Sequence, residues 1–200
     1  MAGLDVGPDD TMTALCHDAQ RMSLMLQFGL ASGADVIGWA DSEIVALDLA
    51  SGPLLELSTT PPANTCDLLS HLRALASGAD FWAAFRTVLG PLQDHIASNP
   101  ARTEYFANEL YRTASSFDSG EVPKDLSFLH RFDDAFSLAR EGTYGRPEDV
   151  LREFLAELGR YKREVQQDAP PHSHPPSQLL ESVDVQTSDS LRTPSSGGCG

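Results

Sequence analysis

LQFGLASGADVIGWADSEIVALDLASGPLLELS, residues 26–58, is the stretch whose reading decides the fold. Leu26 to Leu30 read as the end of one helix and Ser32-Gly33 as its stop. The run around Trp39 reads as a second helix, and Pro53 heads a turn into Leu54-Leu55-Glu56-Leu57-Ser58. Ile37, Ala40, Ile44 and Leu47 recur at spacings of three and four, so on a helix they form one stripe that has to find a core. Asp41 and Asp48 lie along the edge of that stripe.

Upstream, Gly7-Pro8-Asp9-Asp10 turn into a first helix capped by Asp10 or Thr11. Its inner face is Met12, Leu15, Ala19, Met22, Met25 and Leu26, ending at Gly29 or Gly33; methionines at helical spacing fit core filling. Downstream, helix two spans 34–49, with Asp35 in the first turn where a negative charge suits the helix dipole. Leu54, Leu55 and Leu57 make either one helical turn or a short extended piece. Thr65 caps a helix with Leu68, Leu69, Leu72, Leu75 and Ala76 inward. The next helix starts at Asp80, carries Phe81, Phe85, Val88 and Leu89, and is expected to kink or restart at Gly90-Pro91. Asn99-Pro100 opens another, bearing Phe106, Leu110, Ala114 and Phe117. Leu126, Leu129, Phe132, Ala135 and Phe136 follow around a break expected near Arg131. The last helix has the clearest pattern: Val150, Leu151, Phe154, Leu155, Leu158, Tyr161 and Val165 inward, with Glu148/Arg152 and Arg160/Glu164 four apart outside.

Leu-Ala-Ser-Gly occurs at Leu30, Leu49 and Leu75, and the first and third copies run on through Ala-Asp to Trp39 and Trp82. Two copies do not make a solenoid, so a shared glycine helix stop is the economical account. No alternating strand pattern appears. The expected fold is all-α, an irregular orthogonal array or bundle of six to eight helices over residues 1–167. Residues 168–200, rich in proline, serine, glycine and charge, form a disordered tail on this reading.

At 200 residues, 41% of them hydrophobic and 22% charged, the chain suffices for one well-buried core. The amino terminus lacks a basic region leading into an apolar run, and no apolar run approaches the roughly 20 residues that cross a bilayer. A cytoplasmic protein without membrane contact is expected. Cys16, Cys66 and Cys199 are too scattered for a disulfide framework or a zinc site. The formal charge of −15 is unevenly spread: residues 1–72 hold ten acids against the single base Arg21, whereas residues 73–167 hold fifteen acids and twelve bases. Such a potential repels nucleic acid and favours a basic protein partner; solubility alone is the plainer account.

Chemistry is hard to place. His17, His71, His95 and His130 each stand alone on an expected helix, and His172-Ser173-His174 is at most half of a metal site. There is no phosphate loop, nucleophile elbow or Cys-X-X-Cys, and Cys16-His17 are helix neighbours pointing about 100° apart. Arg160, Lys162 and Arg163 form a small basic cluster offset by Glu157 and Glu164. No cofactor, metal or catalytic residue is expected.

Phe28-Gly29-Leu30, Trp39-Ala40-Asp41, Ile44 and Leu55-Glu56-Leu57-Ser58 resemble a loosely defined group of small helical bacterial proteins of unknown activity, a likeness covering only Phe28 to Ser58. Members look like immunity proteins of contact-dependent or polymorphic toxin systems. The resemblance therefore implies a similar role and brings no catalytic residue with it. With the charge asymmetry it gives the leading expectation: a non-enzymatic acidic binding protein that covers the basic active site of a toxin through Asp35, Trp39, Asp41, Glu43, Asp48 and Glu56. The alternative is a helical adaptor or regulatory domain that binds through an apolar groove.

Overall fold

Gly29 is the first pivot of the chain. Its φ of 70° is one that side chains resist, and it closes the first helix with a paired motif. The Leu30 amide donates to the Met25 carbonyl (2.8 Å) and the Gly29 amide to Leu26 (3.1 Å). The computed structural model describes residues 8–47, 52–115, 122–143 and 145–168, and within them no side chains at 8, 9, 133 or 163–168. Eight α-helices run in order among these: α1 Pro8–Gln27, α2 Gly33–Leu47, α3 Gly52–Thr59, α4 Thr65–Leu75, α5 Phe81–Ser98, α6 Thr103–Ser115, α7 Phe128–Arg140 and α8 Pro147–Asp168. Short 3-10 turns at Pro100–Arg102 and Lys124–Leu126 lead into α6 and α7, and no described residue is in a strand. The chain is all-α. Leu49, Phe117, Cys199, the tail and its histidines lie outside the described residues.

Instead of one core, the helices enclose two hydrophobic clusters that share α1. The first joins Leu15, Ala19, Met22 and Leu26 of α1 to Val36 and Ala40 of α2, Leu54 and Leu57 of α3, and Leu68, Leu72 and Leu75 of α4. The second takes Leu24 and Phe28 from the other side of α1 and sets them among α5 to α8, with Phe85, Phe106, Phe132 and Phe154 fully buried. Met25 touches both. Periodicity marked only the first face of α1, and Met12 on that face is exposed.

Several local expectations change. The inward stripe of α2 is Gly33, Val36 and Ala40, while Ile37, Ile44 and Leu47 are only half-buried at its margin. Residues 52–59 are helical, with Leu54 and Leu57 inward and Leu55 out. Asn64, not Thr65, caps α4 by accepting from the Asp67 amide. α5 runs through Pro91 without ending. A mid-helix proline costs about 3 kcal/mol. Val88, Leu89, Leu92 and Ile96, all fully buried, contribute roughly 1.5–3 kcal/mol each and outweigh it. α7 is unbroken at Arg131, its irregularity having moved into the preceding 3-10 turn. On α8, Arg152 pairs with Asp149, three residues away, rather than with Glu148 four away, and Arg160 meets Glu157, while the Glu164 side chain expected beside it lies outside the described residues.

The three Leu-Ala-Ser-Gly copies do not share a helix stop. Gly78 follows α4 in a left-handed conformation (φ 90°), while Gly33 and Gly52 begin helices. A Cβ at Gly52 would meet open space, whereas one at Gly33 would lie 2.0 Å from the Pro62 carbonyl oxygen. The shared glycine thus follows a helix in one copy and begins one in the other two. In the second cluster, α5 and α8 approach closely where a Cβ on Gly90 would stand 3.1 Å from the Lys162 Cα.

Candidate functional site

α2 and α3 are separated by four residues and pack side by side, with α4 against α3. The Asp41 carboxylate accepts from the Ser58 hydroxyl. Those two residues sit symmetrically about the link, which requires an antiparallel hairpin and fixes its register. One turn nearer the link on the same face come Val45 of α2 and Leu55 of α3, 82% and 44% exposed. Glu56 on α3 turns towards α4, its carboxylate 2.9 Å from the His71 Nδ1.

Each described acid proposed from sequence therefore has a definite setting. Asp35 belongs to the start of α2. Its carboxylate accepts from the Ser32 hydroxyl (2.6 Å) and amide (2.8 Å), while its own amide donates to the Ser32 hydroxyl (3.2 Å). This is a reciprocal capping box. The Ser32 hydroxyl, and after it the Ser32 amide, hold the Asp35 carboxyl below the usual carboxylate range. Asp41 ties α2 to α3 and Glu56 ties α3 to α4. Glu43 is half-buried on α2 with no ion-pair partner among the described residues, and Asp48 lies outside them. Trp39 is half-buried against the first cluster. The structure thus brings Asp41, Glu43 and Glu56 onto the hairpin and its α4 flank, and sets Asp35 apart at the helix start.

Sequence reasoning passed over Val45 and Leu55. Val45 falls one residue beyond Ile44, off the apolar stripe, and that displacement was the available signal: an apolar β-branched residue on the wet side of its own helix. The electrostatic setting is unbalanced. Arg21 is the one base up to residue 72 and lies 3.7 Å from Asp18 on its own helix, leaving Arg73 the lone base on α2 to α4.

The described residues contain no group of three or more His, Cys, Asp or Glu able to hold a metal, and no helix long and apolar enough to cross a membrane. His95 and His130 lie edge-on to Phe106 and Tyr111. Cys16 and Cys66 are free thiols. No protein-family model, curated protein or solved structure matches the chain.

Proposed function

We propose that this chain is a non-enzymatic binding protein whose contact surface is the outer face of the α2–α3 hairpin, and most sharply an immunity protein that neutralises a basic toxin in the cytoplasm. The observation that carries the reading is the exposure of Val45 and Leu55 on one face beside Asp41. Apolar side chains give an interface its desolvated centre, and a charged surround sets association rate and partner choice. A toxin that acts on nucleic acid presents a basic groove, and an acidic, apolar-tipped hairpin is complementary to it. Internal ties of Asp41 to Ser58 and Glu56 to His71 would hold the hairpin rigid before contact, lowering the ordering cost of binding.

The test is capture from lysate of the source organism with the wild-type chain, a Val45→Asp variant and a Glu43→Lys variant, washed at low and then high salt. A basic protein that is retained by the wild type, released by salt and weakened by both substitutions supports the reading. A partner that binds both variants unchanged at low salt refutes it. Exposure of Val45 and Leu55 also favours the second reading, an adaptor that binds through apolar contact. That reading predicts salt-insensitive binding, a large negative heat-capacity change, and loss with Val45→Asp alone.

A further inference from the structure

The hydroxyls along the outer face of the α2–α3 hairpin are turned into the hairpin itself. Ser42 donates to the Gly38 carbonyl (2.8 Å), Thr59 to the Leu55 carbonyl (2.9 Å) and Ser58 to Asp41 Oδ1. A surface whose hydroxyls are already bonded can be covered without stranding a donor. Gly38, Asp41 and Val45 fall at spacings of three and four, so they form one stripe about 10 Å long, two turns of helix. At one end of it a Cβ on Gly38 would meet nothing within 4 Å, which leaves a shallow notch; at the other, Val45 and Leu55 are exposed. Asp41 sits between the two ends. The Ser58 hydroxyl is a neutral donor, and no Lys, Arg or His lies within ion-pair distance of Asp41 among the described residues. Asp35 and Glu56, by contrast, are committed to Ser32 and His71.

We infer that this stripe receives an amphipathic helix of the partner that carries an arginine within its apolar face, the guanidinium meeting Asp41. The inference rests on the hairpin being the binding surface, and it names what docks there. Covering Val45 and Leu55 takes water from the Asp41 carboxylate as well, and a carboxylate left with a single hydroxyl donor in a dry contact is costly. The partner must therefore bring donors and a positive charge to that point. A guanidinium suits it better than an ammonium: it gives two parallel N–H groups to one carboxylate and gives up its water more readily. Charge points the same way, since the first 72 residues hold ten acids against one base. The Gly38 notch admits the partner's backbone closely, and a helix matches a straight two-turn run with its side chains on one face. Val45 and Leu55 then take its aliphatic residues.

The probe is a synthetic amphipathic helix of about 14 residues, built of leucine, alanine and glutamine with one arginine in the leucine stripe; a second peptide has glutamine in that place. Each is titrated to about 1 mM into the isotope-labelled full chain, and NMR amide shifts locate the contact. Saturable shifts are expected in α2 from Gly38 to Val45 and in α3 from Leu55 to Ser58. Removing the arginine or making Asp41→Asn should each weaken binding about tenfold, and the two together no further than either alone. Val45→Asp should weaken both peptides. Asp41 and Val45 are exposed, and circular dichroism establishes that each variant is folded. No saturable shift at the hairpin, or shifts spread over other acidic surfaces, would overturn the inference; so would equal affinity for the two peptides. Capture of the natural partner separates the two levels of the reading: retention by Asp41→Asn with loss by Val45→Asp overturns the arginine contact and leaves the hairpin as the binding surface.

Discussion

Replacing Gly33 by alanine tests the packing of the first cluster at its tightest point. Gly33 has ordinary helical backbone geometry, so on conformational grounds alone the change should stabilise the chain by about 0.4–1 kcal/mol, by restricting the unfolded state. Packing argues the opposite. The new methyl would sit 2.0 Å from the Pro62 oxygen, 2.8 Å from the Pro62 carbon and 2.9 Å from Leu68 Cδ1. A carbon–oxygen contact relaxes only beyond about 3 Å, so the start of α2 and the 60–64 turn must separate by roughly 1 Å, which loosens the Val36 and Leu68 packing behind them. Overpacking of this kind costs about 1–3 kcal/mol, and the obstacle is backbone, so the upper end applies. The net expectation is a loss of about 2 kcal/mol, a fall of roughly 4–8 °C in melting temperature for a chain of this size. Gly38→Ala is the control. It lies on the same helix with nothing within 4 Å of its Cβ, and should gain about 0.5–1 kcal/mol. Urea unfolding of both variants beside the wild type gives the answer in the sign of each change. Gly33→Ala as stable as Gly38→Ala would refute the tight approach of α2 to the Pro62 turn.

Three further outcomes can be measured on the same preparation. Phe154→Ala, which removes a fully buried ring 5.0 Å from Phe132 and 5.8 Å from Phe136, should cost about 3–5 kcal/mol in urea unfolding. Ser32→Ala removes the cap of α2 and should cost about 1 kcal/mol; with the Ser32 hydroxyl gone, an NMR titration should find the Asp35 carboxyl risen towards the usual range. Arg86 holds the Asp125 carboxyl below its usual range chiefly by hydrogen bonding, so this pair contributes stability above about pH 4 that is lost as pH falls through the depressed value. Both side chains are well exposed, so Asp125→Asn should reduce stability at neutral pH by no more than about 1 kcal/mol and flatten the acid limb of the stability curve.

Amphipathic periodicity made the helices legible. α8 is the clearest case, since Val150, Phe154, Leu158 and Tyr161 are buried where their spacing placed them. What periodicity does not carry is a second buried face. Leu24 and Phe28 are four apart, but their partners in α5 to α8 are far along the chain, so α1 read as one-sided. Pro91 and Arg131 misled in a related way. Each was judged by local propensity, while the helices through them are held by tertiary packing. The acidic residues of the candidate surface were visible as composition, but their division between capping (Asp35), the α2–α3 tie (Asp41) and the α3–α4 tie (Glu56) depends on Ser32, Ser58 and His71. Arg160, Lys162 and Arg163 read as one basic cluster along a helix. In the structure Lys162 turns to Asp94 and Arg160 meets Glu157, while the Arg163 side chain lies outside the described residues.

The double duty of α1 also bears on synthesis at the ribosome. When α4 has emerged, Leu15, Ala19, Met22 and Leu26 already have their partners, so the first four helices can settle while translation continues. Leu24 and Phe28 cannot: they stay wet until α5 and its followers arrive, leaving an apolar strip on the nascent chain for that interval. A pause between α4 and α5 would lengthen the exposure of that strip on the far side of α1.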